Sequence, residues 1–342
     1  MDSNLLNYVF IVQDSIFKGV YRMDQIIPAV VNRSTTTPVK SRKKLSYDKH
    51  LSDFQFFSSD LITLYKGDAE SVLKLLKPNS VDCVVTSPPY YGQRDYGVDG
   101  QIGLESSPQQ YIDKLLNVFD EVKRVLKPSG SLWVNLGDTY WSGKGHPTRK
   151  DSKQKNRRFD RPQDKAGEKP WCVPKQLLLI PHRFAIGMQE REWIVRNDNV
   201  WYKTAPTPDP VDDRCSLAHE YVFHFVKRKK YYFDAESVAV PSNGTKTTKP
   251  PSSVWTVPTA NNRKKHQAVF PEALTSIPIK ATCPPNGILL DPFCGSGTAL
   301  SASVSLGENR KAIGIDISSV ALAEAVDLIS AMSVYADKRV IA

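Results

Sequence analysis

Two spacings of hydrophobic residues alternate along the chain from residue 61 onward. Short apolar runs rich in β-branched residues, of which 81–86 (VDCVVT) is the clearest, are typical of buried strands. Between them lie segments such as 109–126, whose apolar residues recur every three or four positions and indicate amphipathic helices. Strands that alternate with helices predict a doubly wound α/β sheet. The predicted strands are 61–65, 81–86, 131–136, 193–196, 221–226, 231–233, 287–290 and 311–315, and the predicted helices are 69–76, 109–126, 175–190, 298–306 and 318–332.

Three segments depart from this alternation. Residues 1–60 mix short apolar patches with a polar stretch, and we interpret them as an N-terminal extension of unknown role that precedes one domain at 61–342. Residues 142–170 contain ten Lys and Arg against four Asp and Glu, with almost no large apolar residue, which is typical of a loop insertion. Residues 241–265 begin with a polar, proline-containing stretch and form a second variable segment.

The excess of basic over acidic residues favours a polyanionic partner. The 342-residue chain has a formal net charge of +10, which favours nucleic acid, although a solvated basic surface gives the same balance. The basic insertion has almost no apolar residues to fold against, so we expect it to order on the nucleic acid. Its candidate DNA-binding residues are Lys144, Arg149, Lys150, Arg157, Arg158 and Arg161.

Cysteine usage and hydropathy exclude several other classes of protein. The five cysteines form no CxxC pair, which fits a reducing cytoplasm and argues against a disulfide framework. Cys215, His219 and His224 lie close in sequence, but no second ligand pair completes a metal spacing, so we interpret them as structural and expect no metal site. Because no apolar run approaches the roughly 20 residues that cross a bilayer, we expect a cytoplasmic protein with no membrane partner.

The segment 287–298 (GILLDPFCGSGT) has the pattern of a nucleoside-binding turn. An apolar strand runs into a glycine-containing turn and then a helix, and glycines let the backbone approach a ligand closely. Asp316 ends the next strand, where an acid can accept hydrogen bonds from ribose hydroxyls. The turn is neither a GxGxxG nor a Walker motif, which disfavours a pyrophosphate; the alternative is a tight turn without a ligand. The candidate cofactor-binding residues here are Asp291, Pro292, Phe293, Gly295, Gly297, Thr298 and Asp316.

A second motif, Ser87-Pro88-Pro89-Tyr90, follows the buried run 81–86. An exocyclic base amine is a poor nucleophile, because its lone pair is delocalised into the ring. The Ser87 hydroxyl and the Pro88 carbonyl are candidate acceptors for its N–H bonds, and the prolines would hold them in place. Tyr90 offers a face on which a flipped base can stack. These four residues are the candidate catalytic residues; a plain Pro-Pro turn after a strand is the structural alternative.

The two motifs together resemble a known family. TSPPYYGQRDYG at 86–97 and DPFCGSGT at 291–298 look like the amino-methylating DNA methyltransferases of bacterial and archaeal restriction–modification systems, and the match covers most of 61–332. The catalytic motif precedes the cofactor motif, as in their circularly permuted beta class. The resemblance implies a Rossmann-like fold dependent on S-adenosyl-L-methionine, circularly permuted, with loop insertions for DNA recognition.

The resemblance also implies roles outside the two motifs. The family's GDA turn falls on 67–69, where Asp68 matches an acid that contacts the cofactor's adenine. A further segment falls on 266–274, where His266 and Phe270 match residues that help hold the cofactor's methionine end. The WxK, DR and HE segments of the family fall on 201–203, 213–214 and 219–220.

The resemblance implies a reaction, a base and two partners. Ser at the first position of the tetrapeptide usually accompanies cytosine N4 in this family, whereas Asp or Asn accompanies adenine N6. We therefore expect a site-specific methyltransferase that acts on a flipped cytosine in double-stranded DNA, with a cognate restriction endonuclease as a second partner. The alternatives are an adenine-N6 DNA methyltransferase, a protein-glutamine methyltransferase and a non-catalytic DNA-binding subunit.

Overall fold

The computed structural model describes residues 50–93, 95–141, 173–206, 211–242, 247–259 and 271–340, without the side chains of 332–340. Most of the predicted N-terminal extension, all of the basic insertion and part of the segment 241–265 lie outside these ranges. In the described residues, no helix is long and apolar enough to cross a membrane.

Nine strands among the described residues form one mixed sheet: β1 (Gln55–Ser58), β2 (Ile62–Lys66), β3 (Val81–Thr86), β4 (Leu126–Leu136), β5 (Ile194–Tyr202), β6 (His219–Val226), β9 (Val254–Thr256), β10 (Ile288–Asp291) and β11 (Lys311–Asp316). The order across the sheet is β1-β2-β11-β10-β3-β4-β6-β5-β9, while β7 (Val240–Pro241) and β8 (Thr248–Lys249) form a separate ladder. The five central strands, from β2 to β4, run parallel, and β1 at one edge is antiparallel to β2. On the other side β6 is antiparallel to both β4 and β5, and β5 is parallel to β9.

Helices cover the sheet between these strands. Their bounds are α1 (Ala69–Leu73), α2 (Pro108–Val125), α3 (Ile180–Glu190), α4 (Glu272–Thr282), α5 (Thr298–Ser305) and α6 (Ser319–Val340). The α/β class and the permuted order are confirmed, because β3 is the sheet neighbour of β10 although the strands from β4 to β9 lie between them in the chain.

The core has two halves, one on each face of the sheet. Every residue of β3 is buried, and because side chains alternate along a strand, Val84 joins one apolar cluster while Cys83 and Val85 join the other. The amphipathic face of α2 fills the first cluster, and Phe119 at its centre is fully buried. Burial of such a side chain stabilises the fold by about 1.5–3 kcal/mol.

The sequence and the structure differ at several elements. The predicted strand at 231–233 is wrong: this segment forms no ladder and is held to the sheet by a hydrogen bond from Tyr232 N to the Ser129 carbonyl. The helix α4 was not predicted, because Pro278 interrupts its apolar pattern. The strand β1 lies within the segment interpreted as the N-terminal extension and pairs with β2. The sheet therefore begins before residue 60.

His224 on β6 is a core residue. It is 1% exposed and lies flat against Trp133 of β4, with the ring centroids 4.0 Å apart. Its Nε2 lies 3.1 Å from Ser131 Oγ. Burial lowers the pKa of His224 to about 3, and the nearby Arg196 acts in the same direction. Within the described part of the chain, no cluster of His, Cys, Asp or Glu side chains could hold a metal ion.

The depressed pKa of His224 predicts that the protein loses stability on mild acidification. Below about pH 6.5 the unfolded chain takes up a proton that the folded imidazole accepts only near pH 3, so the free energy of unfolding falls as pH falls through this window. The slope from this residue approaches about 1.4 kcal/mol per pH unit. His224→Phe, which keeps a ring on Trp133 and cannot titrate, should remove that slope in urea unfolding measured between about pH 7 and about pH 5.

Replacement of an exposed histidine by phenylalanine serves as the control. His50→Phe replaces an exposed imidazole and should retain the wild-type pH dependence. Equal slopes for His224→Phe and the wild type would show that His224 is not the group responsible.

Candidate functional site

The tetrapeptide Ser87–Tyr90 leaves the carboxyl end of β3 and is held from two sides. Tyr111 of α2 donates a hydrogen bond from its hydroxyl to the Pro89 carbonyl at 2.8 Å. Burial raises the pKa of Tyr111 well above its ordinary value, so the hydroxyl stays a donor. On the other side, a Cβ at Gly103 would lie 3.0 Å from the Tyr90 carbonyl oxygen, at a φ of 106° that favours glycine. The backbone of the tetrapeptide is therefore tightly confined.

Asp291, the last residue of β10, lies next to this tetrapeptide. The Thr86 hydroxyl at the end of β3 donates a hydrogen bond to Asp291 Oδ1 at 2.6 Å, and Phe293 N donates to the same oxygen at 3.0 Å. Burial raises the pKa of Asp291 to about 7, with the charge of Asp316 adding to the effect and the two hydrogen bonds opposing it. The predicted catalytic and cofactor motifs are thus joined directly.

Asp316, the last residue of β11, organises the turn after β10. Its Oδ2 accepts a hydrogen bond from Gly295 N at 2.9 Å, and its Oδ1 accepts one from Ser318 N at 2.8 Å. Burial raises the pKa of Asp316, while these backbone donors oppose the shift. The carboxylate therefore supports the glycine turn, and its remaining lone pairs are what a ribose hydroxyl would use.

The carboxyl ends of β2, β10 and β11 have the features of a nucleoside site. Gly295 has a φ of 49°, and a Cβ there would meet no atom within 4 Å, so the turn borders open space. Asp68 follows β2 and caps α1 by accepting from Ser71 N at 2.9 Å. The buried Asp291 and the partly buried Asp316 at this edge disfavour a phosphate and suit a ligand with hydroxyls and positive charge. The residues present therefore fit S-adenosyl-L-methionine.

The predicted residues of the cofactor turn lie together at this edge. Pro292 and Gly297 are buried, whereas Phe293, Gly295 and Thr298 are partly exposed. Gly297, the residue before α5, has a φ of 81°, and a Cβ there would lie 3.0 Å from the Ala325 Cβ. The other predicted residues, His266 and Phe270 for the cofactor and Lys144, Arg149, Lys150, Arg157, Arg158 and Arg161 for DNA, lie outside the described residues.

A polar network around Tyr90 was not predicted from the sequence. The Tyr90 hydroxyl donates to Glu220 Oε2 at 2.6 Å, and Asn135 Nδ2 donates to both the Tyr90 oxygen and Glu220 Oε2, at 2.7 and 2.8 Å. Lys203 Nζ lies 2.5 Å from Glu220 Oε1. Lys203 and Glu220 belong to the WxK and HE segments that the family resemblance picked out, which was the available signal for them.

The described residues on either side of the basic insertion are hydrogen-bonded to each other and form the base of the insertion. Trp141 N donates to the Gln176 carbonyl at 2.7 Å, and Lys175 N donates to the Trp141 carbonyl at 2.9 Å. The Arg214 guanidinium lies 3.7 Å from the centre of the Tyr140 ring, and Asp213 forms an ion pair with Lys175. The residues that flank the basic insertion therefore lie together just beyond the carboxyl end of β4, the sheet neighbour of β3.

Known proteins are similar to this chain in sequence and in fold. A family model described as DNA methylase, of the N6/N4 type, matches residues 81–327. Type II methyltransferase M.Cfr9I of Citrobacter freundii is 43% identical over 258 residues, which cover 75% of this chain and 83% of that protein. Type II methyltransferase M.SmaI of Serratia marcescens is 41% identical over 253 residues, covering 73% of this chain and 85% of that protein.

Solved structures with lower sequence identity show the same fold. PvuII DNA methyltransferase, which is cytosine-N4-specific, matches with a TM-score of 0.59 and 20% identity over 78% of this chain and 86% of that one. A putative DNA modification methylase of Thermus thermophilus, solved in complex with S-adenosyl-L-methionine, matches with a TM-score of 0.50 and 22% identity, over 77% of this chain and 90% of that one.

The family match and the relatives confirm the family recognised from the two sequence motifs. The family uses S-adenosyl-L-methionine as its methyl donor. The family model spans both β3 with its tetrapeptide and β10 with its glycine turn, the two strands that the hydrogen bond from Thr86 to Asp291 joins. This protein belongs to the N6/N4 family of DNA methylases.

Proposed function

We propose that this protein is a site-specific methyltransferase that transfers a methyl group from S-adenosyl-L-methionine to N4 of a flipped cytosine in double-stranded DNA. The observation that carries the proposal is a tetrapeptide beginning with Ser87, one hydrogen bond away from the cofactor turn through Thr86 and Asp291. The Type II methyltransferase relatives support a place in a restriction–modification system, with a cognate endonuclease that cuts the same site.

The proposed mechanism assigns the base amine to the tetrapeptide. Ser87 Oγ and the Pro88 carbonyl accept hydrogen bonds from the amine, which directs its lone pair away from the ring and toward the methyl carbon. The Tyr90 face stacks on the base after it leaves the duplex. When bound, S-adenosyl-L-methionine supplies an electrophilic methyl on a sulfonium sulfur. Transfer would form the N–C bond and break the S–C bond, whose electron pair stays on the sulfur, and the surplus amine proton would leave to water. Close alignment would supply much of the acceleration.

Cytosine N4 and adenine N6 are chemically close alternatives. Both are exocyclic amines, and a Ser hydroxyl can accept a hydrogen bond from either. The choice of cytosine rests on Ser87, where the adenine-N6 members of the family usually carry Asp or Asn. The intact tetrapeptide and cofactor acids disfavour the non-catalytic DNA-binding subunit.

The basic insertion is the proposed DNA contact. Its base, formed by Trp141 and Gln176, lies beyond the carboxyl end of β4, so the insertion starts close to the tetrapeptide on the neighbouring strand. Arg and Lys in such a segment neutralise phosphates, and Arg also reads guanine in the major groove.

Nucleoside analysis tests the reaction and the base together. DNA exposed to the purified protein and S-adenosyl-L-methionine should yield N4-methylcytosine on digestion and mass spectrometry. The Ser87→Ala variant is the control and should lower the methylation rate about 10²–10³-fold, because one preorganised hydrogen-bond partner is lost. N6-methyladenine in place of N4-methylcytosine would establish the adenine alternative, and no modified nucleoside would contradict the proposed activity.

Cofactor binding should depend on pH through Asp291. Its carboxylate faces the cationic cofactor in our proposal, so affinity should fall as pH falls through about 7. Thr86→Val removes the hydrogen bond that opposes the raised pKa of Asp291, so the fall should begin at higher pH. Calorimetry with S-adenosyl-L-methionine across pH measures this shift.

Thr86→Ser is the matched control, because it keeps the hydroxyl and should retain the wild-type pH profile. If Thr86→Val and the wild type give the same profile, Asp291 is not the titrating group that governs cofactor affinity.

Replacing residues 144–170 with a short Gly-Ser linker should weaken DNA binding and flatten its salt dependence. Each phosphate contact removed should lower the slope of log K against log salt by about 0.9. The linker can close because the hydrogen bonds of Trp141 hold the two ends together. Cofactor affinity should be unchanged, which makes it the internal control. An unaltered slope and an unaltered methylated sequence would move the recognition role to residues 241–265.

A further inference from the structure

Glu220 lies at the start of β6, where its carboxylate faces the hydroxyl end of Tyr90. In the ladder between β5 and β6, it pairs with Trp201. The two carboxylate oxygens have separate partners: Oε2 receives hydrogen bonds from Tyr90 and Asn135, and Oε1 receives one from Lys203. The Glu220 side chain is only 11% exposed, so this carboxylate is a largely buried charge that its neighbours compensate.

The directions of the hydrogen bonds in this network are unambiguous. A carboxylate only accepts, so Tyr90 must donate to Glu220, and the Tyr90 oxygen then accepts from Asn135 Nδ2. Burial, together with the charge of Glu220, raises the pKa of Tyr90 well above its ordinary value, which keeps the hydroxyl protonated. Both contacts of Asn135 need a donor, and Nδ2 is the only donor of its side chain, which fixes the orientation of the amide.

Packing confines the ring of Tyr90 as well as its hydroxyl. A Cβ at Gly137 would lie 2.8 Å from Tyr90 Cε2 and 3.2 Å from Glu220 Cδ, so the backbone of the chain after β4 passes directly over both side chains. Lys203, which neutralises Glu220, lies 4.8 Å from the centre of the buried Trp201 ring. The network is thus anchored to β4, β5 and β6 and not to the tetrapeptide alone.

We propose that Glu220 is a positioning residue, which holds the Tyr90 ring by its hydroxyl in the orientation that stacks on the target base. The inference rests on the proposed function. A tyrosine ring held only at its Cβ end can swing about χ1, whereas a ring bonded at both ends cannot. Displacement of a reacting group by about 1 Å costs on the order of 10² in rate, which sets the expected size of the effect.

Three variants separate positioning from other roles of Glu220. Glu220→Gln keeps an oxygen that accepts from Tyr90, and Tyr90→Phe keeps the ring but removes the donor. Glu220→Ala removes the acceptor. In single-turnover methylation with saturating DNA and cofactor, Glu220→Gln should stay within a few-fold of the wild type, while Tyr90→Phe and Glu220→Ala should each lose up to about 10²-fold.

The double variant Tyr90→Phe/Glu220→Ala provides the decisive comparison. Because both substitutions break the same hydrogen bond, the double variant should be no slower than the slower single variant. Losses that multiply would overturn the proposal, and so would a wild-type rate for Glu220→Ala. Loss of rate in Glu220→Gln equal to that in Glu220→Ala would instead assign Glu220 a role through its charge.

Controls distinguish misfolding and failure of the proposed function from failure of the inference. Tyr202→Phe removes a hydroxyl from a tyrosine that is 47% exposed and should keep the wild-type rate. Cofactor affinity should be unchanged in each variant. If Glu220→Ala is destabilised by the unpaired Lys203, Glu220→Ala/Lys203→Met removes both charges and should show the same rate loss. Absence of methylated DNA with the wild type would contradict the proposed function itself.

Discussion

The hydrogen bond from the Thr86 hydroxyl to the Asp291 carboxylate joins the two strands that carry the candidate chemistry. Both side chains are buried, and their residues lie 205 positions apart in the chain. The bond requires β3 and β10 to be parallel neighbours in the register that pairs Val84 with Leu290. A slip of one residue would turn each side chain to the other face of the sheet and would separate the tetrapeptide from the cofactor turn.

The same edge of the sheet brings together two acids, the buried Asp291 and the partly buried Asp316. Burial raises the pKa of both Asp291 and Asp316, and each carboxylate accepts hydrogen bonds from backbone N–H groups of the turns that follow the strands. Backbone donors compensate part of the cost of burying these charges, but the two acids still oppose each other. A ligand that brings positive charge and hydroxyl donors relieves that opposition, which explains physically why this edge suits a sulfonium nucleoside.

The sequence predicted most of the central sheet because parallel strands buried on both faces leave continuous apolar runs. β3, β10 and β11 were located to within one residue, and the two motifs lie where β3 and β10 end. The antiparallel side was less predictable: β5 extends to Tyr202 through Arg196, Asn197 and Asp198, polar residues that tertiary pairing with β6 keeps in a strand. Within the candidate site, the tetrapeptide and the acids could be identified from local motifs.

The Tyr90 network could not be identified in that way, because its members are distant in sequence. Glu220 lies 130 positions from Tyr90 and Asn135 lies 45 positions from it, and no local spacing connects them. Their contact depends on β6 pairing antiparallel with β4, which places the amino end of β6 beside the carboxyl end of β4. An antiparallel strand thus contributes its first residues to a site that parallel strands build from their last residues.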